Sequence, residues 1–348
     1  MSKRVLICAA QAPFITGGAE MLCTTLHREL QRRGFIADIA QVPFKWYPPE
    51  EILRQALAWR LIDVTESNGA KVDLVIPTKF PTFLADHPRK VAWIFHQHRE
   101  VYDLYGTEYC SFTPSKEHEE IKATIHALDT KALGECRDRF TISRTVADRL
   151  RTFNGLDATP LYPPPPLSGR YRFDEIGDFL LFAGRLDRLK RVDLLIEALA
   201  HAAPEVRLKI AGRGPLETSL RELAEKRNVG GRVDFLGFVS DEELLTLLAT
   251  ARAAVYTPVN EDYGYVTLEA FLSGKILITT DDTGGVLEFA TGESGFIAAP
   301  DAKALGAAMT QAWHTPTSRL REMAEVGRRK VAPIQWDAVI DALTESIR

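Results

Sequence analysis

Glu261 and Glu269 stand with seven residues between them in YTPVNEDYGYVTLEAFLSGKILITTDDTGG, the stretch from Tyr256 to Gly285. What two carboxylates can do depends on their separation. Val266 to Ser273 carries apolar residues at helical spacing, and Gly274 stands where a left-handed helix end is favoured. The stretch therefore predicts the end of a buried strand, an acidic loop, a short helix, a second strand and a Gly-Gly turn. On a continuous helix the two glutamates would be about 12 Å apart along the axis. That is too far to share one reacting atom, since a glycosidase pair needs roughly 5 to 9.5 Å. The spacing suits an extended ligand with hydroxyls at both ends and an anion in the middle. The helix N-terminus near Gly264 and Tyr265 offers unpaired N–H groups that favour a phosphate, and Gly264 has no side chain to block it. A nucleotide sugar has this shape. The plain alternative is an amphipathic helix with Glu261 solvated in a loop.

Other residues of chemical interest follow predicted strands. Gly17 and Gly18, in ITGGAE, present backbone N–H groups just before a helix, a phosphate-type or sugar-type contact or else a turn. They do not form a G-x-G-x-x-G fingerprint. His96, in His96-Gln97-His98-Arg99, follows the apolar run KVAWIF directly, and no further His, Cys or Asp stands at metal-ligand spacing. Arg185 and Lys190 follow Gly184 ahead of an amphipathic helix, where a cation pair can hold a diphosphate. Taken singly they read as surface charges. Gly212-Arg213-Gly214 closes another strand and is a weak motif by itself.

The elements that must position these residues alternate along the chain. In the first half, strands are expected at RVLICAA (4–10), FIADIAQV, VDLVIP, KVAWIF and RFTIS, with helices at 21–34 and 48–67. In the second half they are expected at DFLLFAG, VRLKIAG, RVDFLGF, AAVYTP, KILITT and GFIAA. Ser240 with acids behind it marks a helix start, and IQWDAVIDALTESIR is amphipathic. Four prolines, Pro163 to Pro166, form a stiff extended segment read as an interdomain linker, with a polyproline recognition motif as its rival. Alternation of this kind predicts parallel sheets, whose ligands bind beyond the carboxyl ends of the strands.

E-D-Y-G-Y-V-T-L-E resembles the E-x7-E signature of family-4 retaining glycosyltransferases, usually seen as E-G-F-G-L-x-x-x-E. This chain has Asp262 for the usual Gly, and Tyr263 and Tyr265 for Phe and Leu. GGAE after the first strand, the histidine after KVAWIF, and Arg185 with Lys190 ahead of D-L-L-I-E-A are similar to the same family. The resemblance implies an α/β protein of two Rossmann-like domains facing across a cleft, the GT-B fold. An acceptor domain would span 1–165, with the helix 334–348 packing back on it, and a donor domain 170–333. It implies a retaining, metal-independent transfer of a sugar from a nucleotide diphosphate sugar, a UDP or GDP sugar first, without other cofactor. Arg185 and Lys190 would bind the diphosphate. Glu261 and the Tyr263-Gly264 backbone would orient the sugar, with Tyr265 and Val266 opening the helix beside it. Glu269 would hold the ribose, and Gly17 and Gly18 would line the donor. Gly212, Arg213, Phe238 and Val239 would lie beside the base. His96, rather than His98, would face the sugar near its 6-position. The acceptor would be a glycan, a lipid-linked saccharide or a small molecule.

Composition bounds the alternatives. At 348 residues, two domains are expected. A net charge of −4 gives no sign of a nucleic-acid partner. Cys8, Cys23, Cys110 and Cys136 have neither metal nor redox spacing, as in a cytosolic protein. MSKRVLICAA is too short in its apolar run for a signal peptide, and no run reaches transmembrane length. A cytoplasmic protein is expected, with a peripheral contact at the inner membrane face left open. A nicotinamide-dependent oxidoreductase would need the missing glycine fingerprint. A non-catalytic nucleotide-sugar-binding protein of the same fold would keep the same pockets.

Overall fold

A computed structural model describes residues 2–14 and 17–348. Ile15 and Thr16 of the ITGGAE motif lie outside the described residues. The chain divides into two compact units, residues 1–166 with 334–348 and residues 167–333, the boundary falling at the end of the proline run.

The first unit opens with β1 (Arg4–Gln11), α1 (Gly18–Arg32), β2 (Ile36–Pro43) and α2 (Glu51–Leu61). β1 is an almost continuous apolar run with Val5, Ile7, Cys8, Ala9 and Ala10 buried, the mark of a parallel strand covered on both faces. α1 buries Leu22, Cys23, Leu26 and Leu30, one stripe of the helix. The helix expected over 48–67 is shorter at both ends. After Leu61 the chain turns through a small antiparallel hairpin, β3 (Glu66–Ser67) and β4 (Ala70–Lys71). Asn68 and Gly69 lie between them with φ of 51° and 70°, the left-handed pair of a two-residue hairpin turn. That local Asn-Gly turn overrides the helical spacing of the residues before it.

β5 (Leu74–Pro77), β6 (Val91–Ile94), α3 (Lys116–Gly134), β7 (Asp138–Thr141), α4 (Arg144–Asn154) and β8 (Thr159–Pro160) follow. The strands form two parallel ladders, β2-β1-β5 and β6-β7-β8, joined by bridges at Val75–Lys90 and Lys79–His96. The last helix of the chain, α11 (Trp336–Thr344), belongs to this unit. Its Trp336 ring stands edge-on to Trp93 at 6.1 Å, and Arg33 of the segment after α1 pairs with Asp337.

The second unit is one six-stranded sheet, all parallel, in the order β11-β10-β9-β12-β13-β14. Its elements are β9 (Leu180–Ala183), α5 (Val192–His201), β10 (Leu208–Ala211), α6 (Glu217–Lys226), β11 (Val233–Gly237), α7 (Asp241–Thr250), β12 (Ala253–Val255), α8 (Tyr265–Leu272), β13 (Ile276–Thr280), β14 (Gly295–Ala298), α9 (Ala302–His314) and α10 (Thr317–Val331). All six strands expected from the sequence are present, and Ser240 caps α7 by accepting from the Glu243 N–H. Counted from β9, the order is 3-2-1-4-5-6, the doubly wound arrangement of a Rossmann-like domain. Its direction of winding reverses between β9 and β12.

Candidate functional site

That reversal is where a doubly wound sheet leaves a crevice at its carboxyl edge. The loop after β9 carries Arg185 and, in a single helical turn Arg188–Lys190, the candidate Lys190. The loop after β12 carries Tyr256 and Glu261. The two loops meet here. The Lys190 ammonium lies 2.5 Å from a Glu261 carboxylate oxygen and 2.9 Å from the Tyr256 hydroxyl. Burial works against that ammonium, but Glu261 and then Tyr256 more than offset it and hold its pKa above the usual lysine value. Burial, followed by the Glu261 charge, raises the Tyr256 hydroxyl in turn. Lysine and glutamate side chains keep 18% and 20% exposure, so the pair is reachable from solvent.

Glu261 does not belong to the helix that carries Glu269. Its N–H donates to the Thr283 carbonyl at 3.0 Å, and its own carbonyl accepts from Gly285 at 2.7 Å. The chain then turns through Gly264, with φ of 78°, before α8 begins at Tyr265. Glu261 thus sits in the acidic loop ahead of the short helix, as the sequence predicts, and the axial rise of a continuous helix does not apply between the two glutamates. Gly264 is required for more than open space. A Cβ there would lie 2.8 Å from Val286 Cγ2 and 3.2 Å from the Tyr256 ring. Gly264 is buried, Tyr265 and Val266 are part-exposed, and the side chain of Tyr263 is core, edge-on to Tyr265 and Phe289. Only the backbone of Tyr263 remains for a ligand role.

Glu269 is buried at 8% exposure inside α8 and accepts from the Tyr171 hydroxyl at 3.3 Å. Burial pushes its carboxyl up to about 7; the Tyr171 hydrogen bond works the other way, and Asp241 adds to the rise. A solvated surface glutamate is thereby excluded for Glu269. Arg185 is different: it is 55% exposed and 3.7 Å from Asp187, free to reach outward from the strand end.

The loops after β9, β10 and β11 lie side by side. Gly212 donates to Gly237 at 2.7 Å, and Leu186 to the Arg213 carbonyl at 3.0 Å. A Cβ on Gly212 would fall 1.8 Å from the Gly184 carbonyl oxygen, so this close approach admits only glycine. Arg213 is exposed beside it. Phe238 is 73% exposed, and Val239 packs against the cluster of Phe179, Leu181 and Leu248. Gly212, Arg213, Phe238 and Val239 thus share one edge of the second unit with Arg185.

Residues 168–330 match the family described as Glycosyl transferases group 1. A glycogen synthase of Mycobacterium tuberculosis is 28% identical over 239 residues, covering 64% of this chain and 56% of that protein. A GDP-mannose-dependent alpha-(1-6)-phosphatidylinositol dimannoside mannosyltransferase of the same organism is 32% identical over 161 residues, covering 45% and 40%. The chain spans about half the length of the curated relatives it matches. In three dimensions it is similar to a sucrose-phosphate synthase of Thermosynechococcus elongatus, with a TM-score of 0.79, 17% identity, and 99% and 98% of the two chains covered. That likeness shows the fold: two Rossmann-like α/β domains, as in GT-B proteins. The match to the glycosyl transferases lies on the unit that holds Lys190, Glu261 and Glu269.

In the first unit, Lys79–His96 bridges the two ladders, which puts His96 at the carboxyl edge of the sheet. Its Nδ1 is 2.9 Å from the Gln97 carbonyl. A carbonyl can only accept, so Nδ1 carries a hydrogen. Gln97 is itself held at 2.7 Å by Asn154. His98 packs among Phe44, Phe80 and Phe112, and burial, followed by His96, drops its pKa to about 4, so it stays neutral. The Gly17 N–H is not open as expected. It donates to the Glu20 carboxylate at 2.9 Å, and Glu20 pairs with Lys79 at 2.6 Å. A carboxylate in the first turn of α1 thus takes the Gly17 N–H that an anion would need.

Two residues escaped the sequence reading. Tyr171 lies in the flank of the proline run, and nothing local marks it as the partner of Glu269. Arg191 follows Lys190 directly and looks like one more surface charge, yet it grips both loops behind Glu261. Among the described residues no helix is long and apolar enough to cross a membrane, and no group of three or more His, Cys, Asp or Glu is placed to hold a metal ion.

Proposed function

We propose that the chain is a retaining glycosyltransferase that moves a sugar from a nucleoside diphosphate sugar to an acceptor hydroxyl. The observation that carries this reading is the Lys190–Glu261 pair at the winding reversal of the second sheet, in the unit that matches the glycosyl transferases. Breaking the bond between sugar and diphosphate places negative charge on the leaving group. Lys190 and Arg185 are the cations for that charge, with the N–H groups that open α8 beside them. Glu261, in contact with Lys190, is taken to orient the sugar hydroxyls, which follow the diphosphate directly in such a donor. Glu269 is taken to accept from the ribose, and Gly212, Arg213, Phe238 and Val239 to line the base. Tyr263, through its backbone, with Gly264, Tyr265 and Val266, would border the phosphates. The resemblance gives His96 a sugar-contact role as well. The retaining outcome rests on the likeness of E-D-Y-G-Y-V-T-L-E to the E-x7-E signature, and the first unit is taken as the acceptor domain.

Kinetics on two variants test the assignment. Ribose contacts are nearly the same in ground and transition states, so Glu269→Gln should mainly raise KM for the donor. Glu261→Gln should mainly lower kcat, by at least tenfold, because the reacting carbon loses its orientation. It also releases the Lys190 ammonium from its partner, so calorimetric affinity for the free nucleoside diphosphate should hold or rise. Equal loss of that affinity in both variants would show that the sugar has been assigned to the wrong glutamate. Binding without any donor turnover in the wild-type chain would leave a nucleotide-sugar-binding protein instead.

A further inference from the structure

We infer that Arg191 is a positioning residue, which locks the two loops behind Glu261 and so sets Lys190 and Glu261 against each other for the donor. The inference rests on the reading above that this pair meets a nucleoside diphosphate sugar.

Arg191 has φ of 48° and ψ of 46°, a left-handed backbone that ordinarily selects glycine or asparagine. An arginine held there needs a compensating side chain, and this one has it. Nε donates to the Thr257 carbonyl at 2.7 Å. The two terminal nitrogens bind the Asp282 carboxylate as a fork, at 2.7 and 2.6 Å. One of them also reaches the Pro258 carbonyl at 3.1 Å and the Thr280 hydroxyl at 2.9 Å. Thr257 and Pro258 lead from β12 to Glu261. Thr280 and Asp282 lead from β13 to the turn that holds the Glu261 backbone. One guanidinium therefore ties both loops at their roots.

The backbone continues the same connection. Asn260 N–H donates to Asp282 and Glu261 N–H to Thr283, both at 3.0 Å, while Val259 N–H donates to Leu189 at 2.8 Å. Leu189 and Lys190 belong to the turn that ends at Arg191. The residue beside Lys190 in the chain is thus bonded to the loop that carries Lys190's partner. A rotation of Arg191 would move both groups. Lysine at this position has three donors on a single nitrogen and no planar fork, so it could not make the bidentate Asp282 pair and the two carbonyl bonds together.

The competing explanation is that residue 191 matters only for its backbone. Glycine distinguishes the two, since it suits the left-handed conformation and has no guanidinium. The experiment uses the full chain as wild type, Arg191→Gly, Arg191→Lys and Asp282→Ala, with amide hydrogen exchange and calorimetric titration of UDP, GDP and ADP. In Arg191→Gly, exchange at Val259, Asn260 and Glu261 should be at least tenfold faster, with that at Leu208 to Ala211 in β10 unchanged. Affinity for whichever diphosphate the wild type binds should fall at least tenfold. Arg191→Lys should recover part of both, and Asp282→Ala should reproduce part of the loss if the glycine variant fails to fold. Wild-type exchange and affinity in Arg191→Gly would overturn the proposal. A wild-type chain that binds none of the three diphosphates overturns the donor reading instead, and unchanged exchange in Arg191→Gly overturns the clamp whatever the ligand.

Discussion

Burial lifts the Glu269 carboxyl to about 7, so its charge changes around neutral pH. In the proposed role the ionised form would accept hydrogen bonds from ribose hydroxyls, and protonation would remove that capacity. The kcat/KM for donor should therefore fall as pH drops through about 7. Glu269→Gln should abolish this limb at a lower plateau. Tyr171→Phe removes the hydroxyl that holds the carboxyl down, so its limb should move to higher pH, an outcome that a purely structural tyrosine would not produce. The stability sign is opposite. Between about 4.5 and 7 the native state binds the proton that the unfolded chain releases, so this group's contribution declines as pH rises through that window. Urea midpoints of wild type and Glu269→Gln across pH 4.5 to 8 check it: the variant should lack that part of the slope.

At the scale of elements, the turn between Glu261 and α8 decides how the two glutamates are presented. A Cβ on its left-handed residue, Gly264, would meet Val286 Cγ2 at 2.8 Å and the Tyr256 ring at 3.2 Å. Gly264→Ala should cost about 1–2 kcal/mol for the left-handed backbone alone, with a further loss from the collision with Val286 Cγ2. Denaturant melts should show it, and calorimetry should show weakened diphosphate binding because Tyr256 carries the Lys190 contact. Adding Val286→Ala should recover only the collision part. Full recovery would mean that the backbone conformation costs nothing here. The hairpin at Asn68-Gly69 makes the complementary point, since two turn residues fold back a stretch that the apolar spacing would have kept helical.

On the whole-molecule scale, the chain leaves the first unit at Pro166 and returns to it at Ile334. The returning helix, α11, buries Val339, Ile340 and Leu343 completely or nearly so. Ile340→Ala should therefore lower the stability of the first unit by about 2–5 kcal/mol, as for other buried large-to-small changes. Differential scanning calorimetry with a saturating nucleoside diphosphate would locate the effect. At 100 times its dissociation constant the ligand should stabilise the second unit by about 2.7 kcal/mol. If the variant instead lowers the ligand-sensitive transition, the helix stabilises the second unit and its place in the first is wrong.

The strands of the second sheet, the capping Ser240 and the helix end at Gly274 were all determined by local sequence, because each depends on periodicity or on one residue's backbone preference. Arg185, Lys190 and Glu261 were legible as candidates because they lie in segments that follow apolar strands and so belong at the carboxyl edge, and Glu269 through its spacing from Glu261. Which of them touch was not legible. Lys190 and Glu261 are 71 residues apart in sequence and 2.5 Å apart in space, and only the strand order that sets β9 beside β12 brings them together. Gly17 looked open until Lys79, from another strand end, fixed Glu20 beneath it. Tyr171 and Arg191 had no local mark at all, since a hydroxyl or guanidinium acquires its role from the carboxylates and carbonyls that folding places around it. Local sequence determines which backbone shapes are cheap, whereas hydrogen bonds between distant loops exist only once the sheet has been assembled.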